Sequence, residues 1–124
     1  MHSGLIVAAA GLCAVGFAHS YLGERYILMR LFRRDNLPRL RGSDVFTKRT
    51  LRFAWHVTTV AWWGAAAMVL ALGSGSPRLA VLCLSATFVV TGAITAVSSR
   101  GQHLAWPVFL LIGVAAWLGA PTVP

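Results

Sequence analysis

Four apolar stretches, nearly free of charge, flank one strongly basic segment, and that contrast limits what the chain can fold into. Windows 4–22, 51–72, 79–97 and 104–120 contain no Asp, Glu or Lys, and their single Arg, Arg52, sits at an extreme end. Between Gly23 and Arg52 lie nine of the eleven Lys/Arg and all three acids. A membrane-spanning helix needs roughly 17–25 mostly apolar residues, and each window meets that length. In lipid a spanning segment must satisfy its own backbone polar groups, which selects helices. A β-barrel would show short alternating strands, and these windows do not alternate. The chain is 57% hydrophobic and 11% charged, against about 25% charged in soluble domains. The expected fold is all-α: one polytopic membrane domain over residues 1–124, with four transmembrane helices in an up-down bundle and a partly helical basic loop at 23–50.

Charge also predicts orientation. Gly73-Ser-Gly-Ser-Pro77-Arg78 and Ser98-Ser-Arg-Gly-Gln102 are tight polar turns, so windows two and three, and three and four, run antiparallel. Loop 23–50 and turn 98–103 then share one side with ten Lys/Arg, counting Arg52, while the other side has Arg78 alone. The positive-inside rule makes the first side cytoplasmic and puts both termini outside, with a bacterial inner membrane as the expected location.

Several function classes fall away. No Lys or Arg precedes the first apolar run, so it reads as a retained helix and not as a signal peptide. Cys13 and Cys83 stand far apart without CxxC spacing, against thiol–disulfide chemistry. The strong charge bias disfavours dual-topology exporters and fluoride channels, and the first helix lacks the embedded acid of small multidrug exporters. No GxSxG, P-loop or Rossmann glycine pattern is present. The net charge of +8 is juxtamembrane, so anionic lipid headgroups are the expected partner and nucleic acid is not.

The headgroup contacts expected are Arg25, Arg30, Arg33, Arg34, Arg39, Arg41, Lys48 and Arg49. Tyr26, Ile27, Leu28, Met29, Leu31 and Phe32 interleave with arginines, which suits a helix in the headgroup plane or a basic extension of the first helix. Asn36-Leu37-Pro38 should end it. Gly42-Ser43-Asp44 reads as an N-cap that restarts a helix running into the second window. Trp55 and Trp106 suit interfacial anchors. Ala10, Ala14 and Ala18 repeat every fourth residue, with Gly16 and Ser20 on a neighbouring strip, as helix contacts in lipid require. Thr87, Thr91, Thr95 and Ser99 repeat likewise; they form either interhelical glue with back-bonded hydroxyls or a polar track for a transported substrate.

One group of residues suggests chemistry. His19 and His56 lie in the first two windows and His103 at the head of the fourth, at similar depth near the basic side, with Glu24 one turn from His19. Imidazole and carboxylate suit a transition metal, and paired imidazoles suit haem. Interfacial histidines are also comfortable without any ligand. His19 and Glu24 are about 140° apart on an ideal helix, so both face inward only if Gly23 bends the chain. Ser98, Ser99 and Arg100 could join the arginines in gripping a lipid phosphate.

The stretches His19-Ser-Tyr-Leu-Gly-Glu24-Arg, Arg52-Phe-Ala-Trp-His56 and Gly101-Gln-His103-Leu-Ala-Trp-Pro107 resemble, in layout, small uncharacterised bacterial four-helix membrane proteins. That resemblance implies a fold and carries over no functional residue. The expected function is a small binding or accessory subunit on a larger membrane protein, on a second copy or on a lipid surface. The alternatives are a metal- or haem-binding membrane protein and, more weakly supported, a small transporter. Nothing in the residues decides whether the chain is an enzyme.

Overall fold

The structure is a computed structural model describing residues 3–40 and 42–122. These form four helices and no strand: α1 (Ser3–Leu31), α2 (Val45–Gly73), α3 (Pro77–Ser99) and α4 (Ala105–Leu118). The first three are long and apolar enough to cross a membrane. The fourth is shorter than its window. Its 14 residues rise about 21 Å, against roughly 30 Å of hydrocarbon. Gly119-Ala120-Pro121 closes it, with Gly119 N donating to Ala115 O at 2.9 Å.

The basic segment divides in two. Its first part is an extension of α1, ending at Leu31, several residues before Asn36-Leu37-Pro38. Within it, Gly23–Leu28 widens into a π-helical turn, a geometry that shifts the angular register of everything beyond it. The helix restarts at Val45 with Asp44 at the N-cap, as the sequence suggests, but no side-chain cap bond forms. Asp44 instead pairs with Lys48 at 2.6 Å.

Both short turns use the same closure. After α2, Gly75 N donates to Leu72 O and Ser76 N to Ala71 O, with Gly75 at φ 76°. After α3, Arg100 N donates to Val97 O and Gly101 N to Ala96 O, with Arg100 itself at φ 53°. These are Schellman motifs, which call for a left-handed residue just past the helix end. Ser76 then caps α3 by accepting from Leu79 N at 3.3 Å, ahead of Pro77 in the first turn.

The helices stand in an open row. α1 packs on α2, α2 on α3 and α3 on α4; among the described residues no other pair of helices meets. The consecutive up-down order is as expected, but the row does not close into a bundle. Small residues set each seam, as helix contact in lipid requires. A methyl on Gly23 would overlap the Trp55 indole, one on Gly64 would overlap Thr87, and Gly113 lies against Val89 and the Ser85 carbonyl. Ser85 Oγ donates across that last seam to Gly113 O at 2.7 Å.

The α3 hydroxyls take the back-bonded form. Thr87, Thr95 and Ser99 donate to the carbonyls of Cys83, Thr91 and Thr95 at 2.7, 2.8 and 2.6 Å. Thr91, Thr95 and Ser99 are buried, so they line no open track.

Candidate functional site

The polar residues of α1 and α2 meet as a ladder. On α1 the rungs are Gly16, Ser20 and Glu24, four residues apart. On α2 they are Thr59, His56 and Arg52, at the spacing of one helix face. Thr59 Oγ1 donates to Gly16 O at 3.0 Å. Ser20 Oγ lies 2.7 Å from Thr59 Oγ1 and 2.8 Å from His56 Nδ1. His56 Nε2 lies 3.3 Å from Glu24 Oε2. Arg52 closes the ladder, with Nη2 2.9 Å from Glu24 Oε1 and Nε donating to Oε2 at 3.2 Å. Glu24, four residues beyond Ser20 and at the start of the π turn, stays on this face.

The proton count of the ladder depends on His56. With both ring nitrogens protonated, His56 donates to Glu24 and Ser20, Ser20 to Thr59, and Thr59 to Gly16 O, so every contact holds one hydrogen. With Nδ1 bare, Ser20 must donate to it. Thr59 then shares a single hydrogen between Ser20 and Gly16 O.

Ser20, His56 and Glu24 match the order of a nucleophile, a base and an orienting acid. Acyl transfer also needs N–H donors aimed at a developing oxyanion. Ser20 sits mid-helix, where its own N–H belongs to the helix ladder. The nearby indoles are spent too: Trp55 Nε1 donates to His19 O at 3.0 Å and Trp63 Nε1 to Cys13 O at 3.2 Å. The arrangement is a polar latch between two helices, without the oxyanion donors of an acyl-transfer centre among these groups.

The four-ligand convergence suggested by depth does not form. His19 turns aside, stacked on Trp55 at 4.5 Å and edge-on to Trp62, with Nε2 2.8 Å from Thr58 Oγ1. His103 lies edge-on to Phe53 and accepts from Ala105 N at 3.3 Å. Only Glu24 and His56 meet, and no group of three His, Cys, Asp or Glu able to hold a metal exists among the described residues.

The expected lipid-contact residues spread over several environments. Arg25, Arg30, Arg33, Arg34 and Arg39 are exposed, with Arg30 stacked over Tyr26 at 5.9 Å. Lys48 is held by Asp44. Arg41 lies outside the described residues. Arg49 is half-buried and lines a cleft with Arg52, Phe53, His56, Ile94 and Ser98.

Arg52, Ser20, Thr58 and Thr59 are site residues that reading by residue type overlooks. Their signal is the matched spacing of Gly16/Ser20/Glu24 and Arg52/His56/Thr59, two polar stripes able to face one another. Comparison with protein-family models, with curated proteins and with solved structures finds no match.

Proposed function

We propose that this chain is a small multi-pass membrane protein that acts by lateral association, as a binding or accessory subunit. Its four helices span or enter a bacterial inner membrane, with segment 23–50 on the cytoplasmic side and both termini outside. The basic extension of α1 rests on anionic headgroups.

One observation carries the reading. α2 takes the face of α1 that holds Ala9, Gly16 and Gly23, all buried. The expected contact strip of Ala10, Ala14 and Ala18 lies roughly 150° around the helix and is exposed. A face of small residues lets another helix approach closely, and lipid gives little other reason for one. The occupant is an apolar membrane helix, from a second copy or from a partner subunit. The polar latch fits this role, because it fixes α1 against α2 while leaving the alanine face outward.

The test is site-directed photo-cross-linking in native membranes, with the probe at Ala10, Ala14 or Ala18 and, as control, at Ala8, exposed on another face about 120° away. Discrete higher-mass products from the alanine positions support the reading. Lipid adducts alone from all four positions refute it.

A further inference from the structure

We infer that the seam between α2 and α3 is a binding site for one anionic phospholipid, whose phosphate sits among Arg49, Arg52 and Ser98. The inference rests on the membrane-spanning reading above.

Two adjoining hollows make up the seam. The first, about 320 Å³, is lined by Arg49, Arg52, Phe53, His56, Ile94 and Ser98. The second, about 330 Å³, includes Val60, Trp63, Ala67, Cys83, Ala86 and Val90. On α2 the lining residues run 49, 52, 53, 56, 60, 63, 64, 67, the spacing of one helix face. On α3 they run 98, 94, 90, 87, 86, 83, again one face and in the opposite direction. The two hollows are thus successive stretches of one groove, floored where the open row leaves α1 and α3 apart.

Chemistry changes along its length. The end nearest the start of α2 holds two guanidiniums, an imidazole and a hydroxyl, while the remainder is apolar. Arg52 and His56 are already bonded to Glu24. Arg49 has no acid partner among the described residues, and the Ser98 hydroxyl has no hydrogen-bond partner there. A half-buried cation and a free hydroxyl both line the mouth of an apolar slot. A phosphate oxygen accepts from both, and an acyl chain continues along Ile94, Val60 and Val90. A soluble anion would fill the charged end and leave the apolar length empty, so a lipid is the occupant that complements the whole groove.

The experiment is native mass spectrometry of the full chain released from nanodiscs of equimolar phosphatidylglycerol and phosphatidylcholine. The expected result is one retained phosphatidylglycerol per chain, about tenfold less in Arg49→Gln, as for a lost charge-assisted hydrogen bond, and a few-fold less in Ser98→Ala. Arg78→Gln, at the opposite end of α3 from Ser98 and outside the groove, retains lipid as the parent does. Equal retention by Arg49→Gln and the parent overturns the site, as does equal loss from Arg78→Gln, which would mark diffuse attraction. Retention of phosphatidylcholine alone, or of no lipid, also overturns it. Inorganic phosphate is titrated in parallel, and binding of phosphate without retained lipid refutes the lipid assignment. Carbonate extraction separates the two readings: a chain that leaves the membrane fraction refutes the spanning fold, whereas one that stays but fails the Arg49 comparison refutes only the lipid site.

Discussion

Arg52 holds Glu24 with two nitrogens, Nη2 on Oε1 at 2.9 Å and Nε on Oε2 at 3.2 Å, and its guanidinium also lies over the Phe32 ring at 5.0 Å. One side chain of α2 thus touches the chain at the start of the π turn and again just past the end of α1. The pair is open to its surroundings, with Arg52 50% and Glu24 32% exposed, so its energy is that of a screened pair, about 0.2–1 kcal/mol. Its larger effect is on register, because it holds Glu24 on the face where Ser20 also points.

A double-mutant cycle measures that grip. Glu24→Gln and Arg52→Gln should each lower the stability of the detergent-solubilised protein by about 1 kcal/mol. The double variant should lose less than the sum, with a coupling of roughly 0.5–1 kcal/mol. Thermal unfolding followed by circular dichroism supplies the values. Strict additivity would show that the two groups do not interact.

Gly23 tests the close approach independently of charge. Gly23→Ala places a methyl in the Trp55 indole and should cost about 1–3 kcal/mol, the range for overpacking. A methyl added at Gly11, on the same helix, meets no atom within 4 Å, so Gly11→Ala should be neutral or stabilising by up to about 1 kcal/mol through helix propensity. Melting temperatures of the two variants should therefore move in opposite senses, or Gly11→Ala should not move at all. Equal losses would mean that helix packing does not distinguish the positions.

The Ser20 hydroxyl bridges His56 and Thr59. Ser20→Ala leaves a ring nitrogen of His56 without its partner and should destabilise by about 1–3 kcal/mol. Thr59→Val removes the donor to Gly16 O while keeping the shape, and should cost less, near the average of about 0.6 kcal/mol for hydrogen bonds within membranes. The order of the two losses is the informative quantity, since a reversed order would place the important bond at Gly16.

Helix existence and order were legible because apolar length and polar turns report them directly. Placement along the chain was legible too: His19 and His56 lie within α1 and α2, and His103 just ahead of α4, as counting assigns them. Direction around the helix axis was not. His19 is drawn aside by stacking on Trp55 and Trp62, and the π turn at Gly23–Leu28 shifts the direction of the residues beyond it. A π turn adds one residue per turn without a composition signal that residue counting detects. Closure was likewise illegible, because short turns specify which helices are neighbours and leave open whether the first meets the last.

Asp44 offers a pH test outside the spanning segments. The hydrogen bond from Lys48 holds its carboxyl below the ordinary value of 3.8, helped by the charges of Lys48 and Arg39, while desolvation acts the other way. A depressed carboxylate contributes stability that is fully present above the unfolded value and is lost as pH falls through the folded one. The contribution at the start of α2 should therefore hold above pH 3.8 and disappear below it. Lys48→Ala should move the carboxyl back toward 3.8, read from the Asp44 side-chain carbon in an NMR titration. An unchanged midpoint would show that Lys48 is not the cause.

Arg100 is the one described non-glycine residue with positive φ, at 53°, and it occupies the position that Gly75 fills in the preceding turn. A side chain there costs roughly 1–2 kcal/mol relative to right-handed backbone, whereas glycine bears almost none of that cost. The two Schellman closures share their hydrogen bonds, though Gly101 after Arg100 is also left-handed at φ 74°; Arg100→Gly should stabilise the turn between α3 and α4 by about 1 kcal/mol. Arg100→Ala removes the charge but keeps a Cβ in the strained conformation, and should leave stability near that of the parent. Unfolding midpoints of the two variants separate strain from charge. If Ala stabilises as much as Gly, repulsion among the basic residues is responsible and the backbone conformation is not.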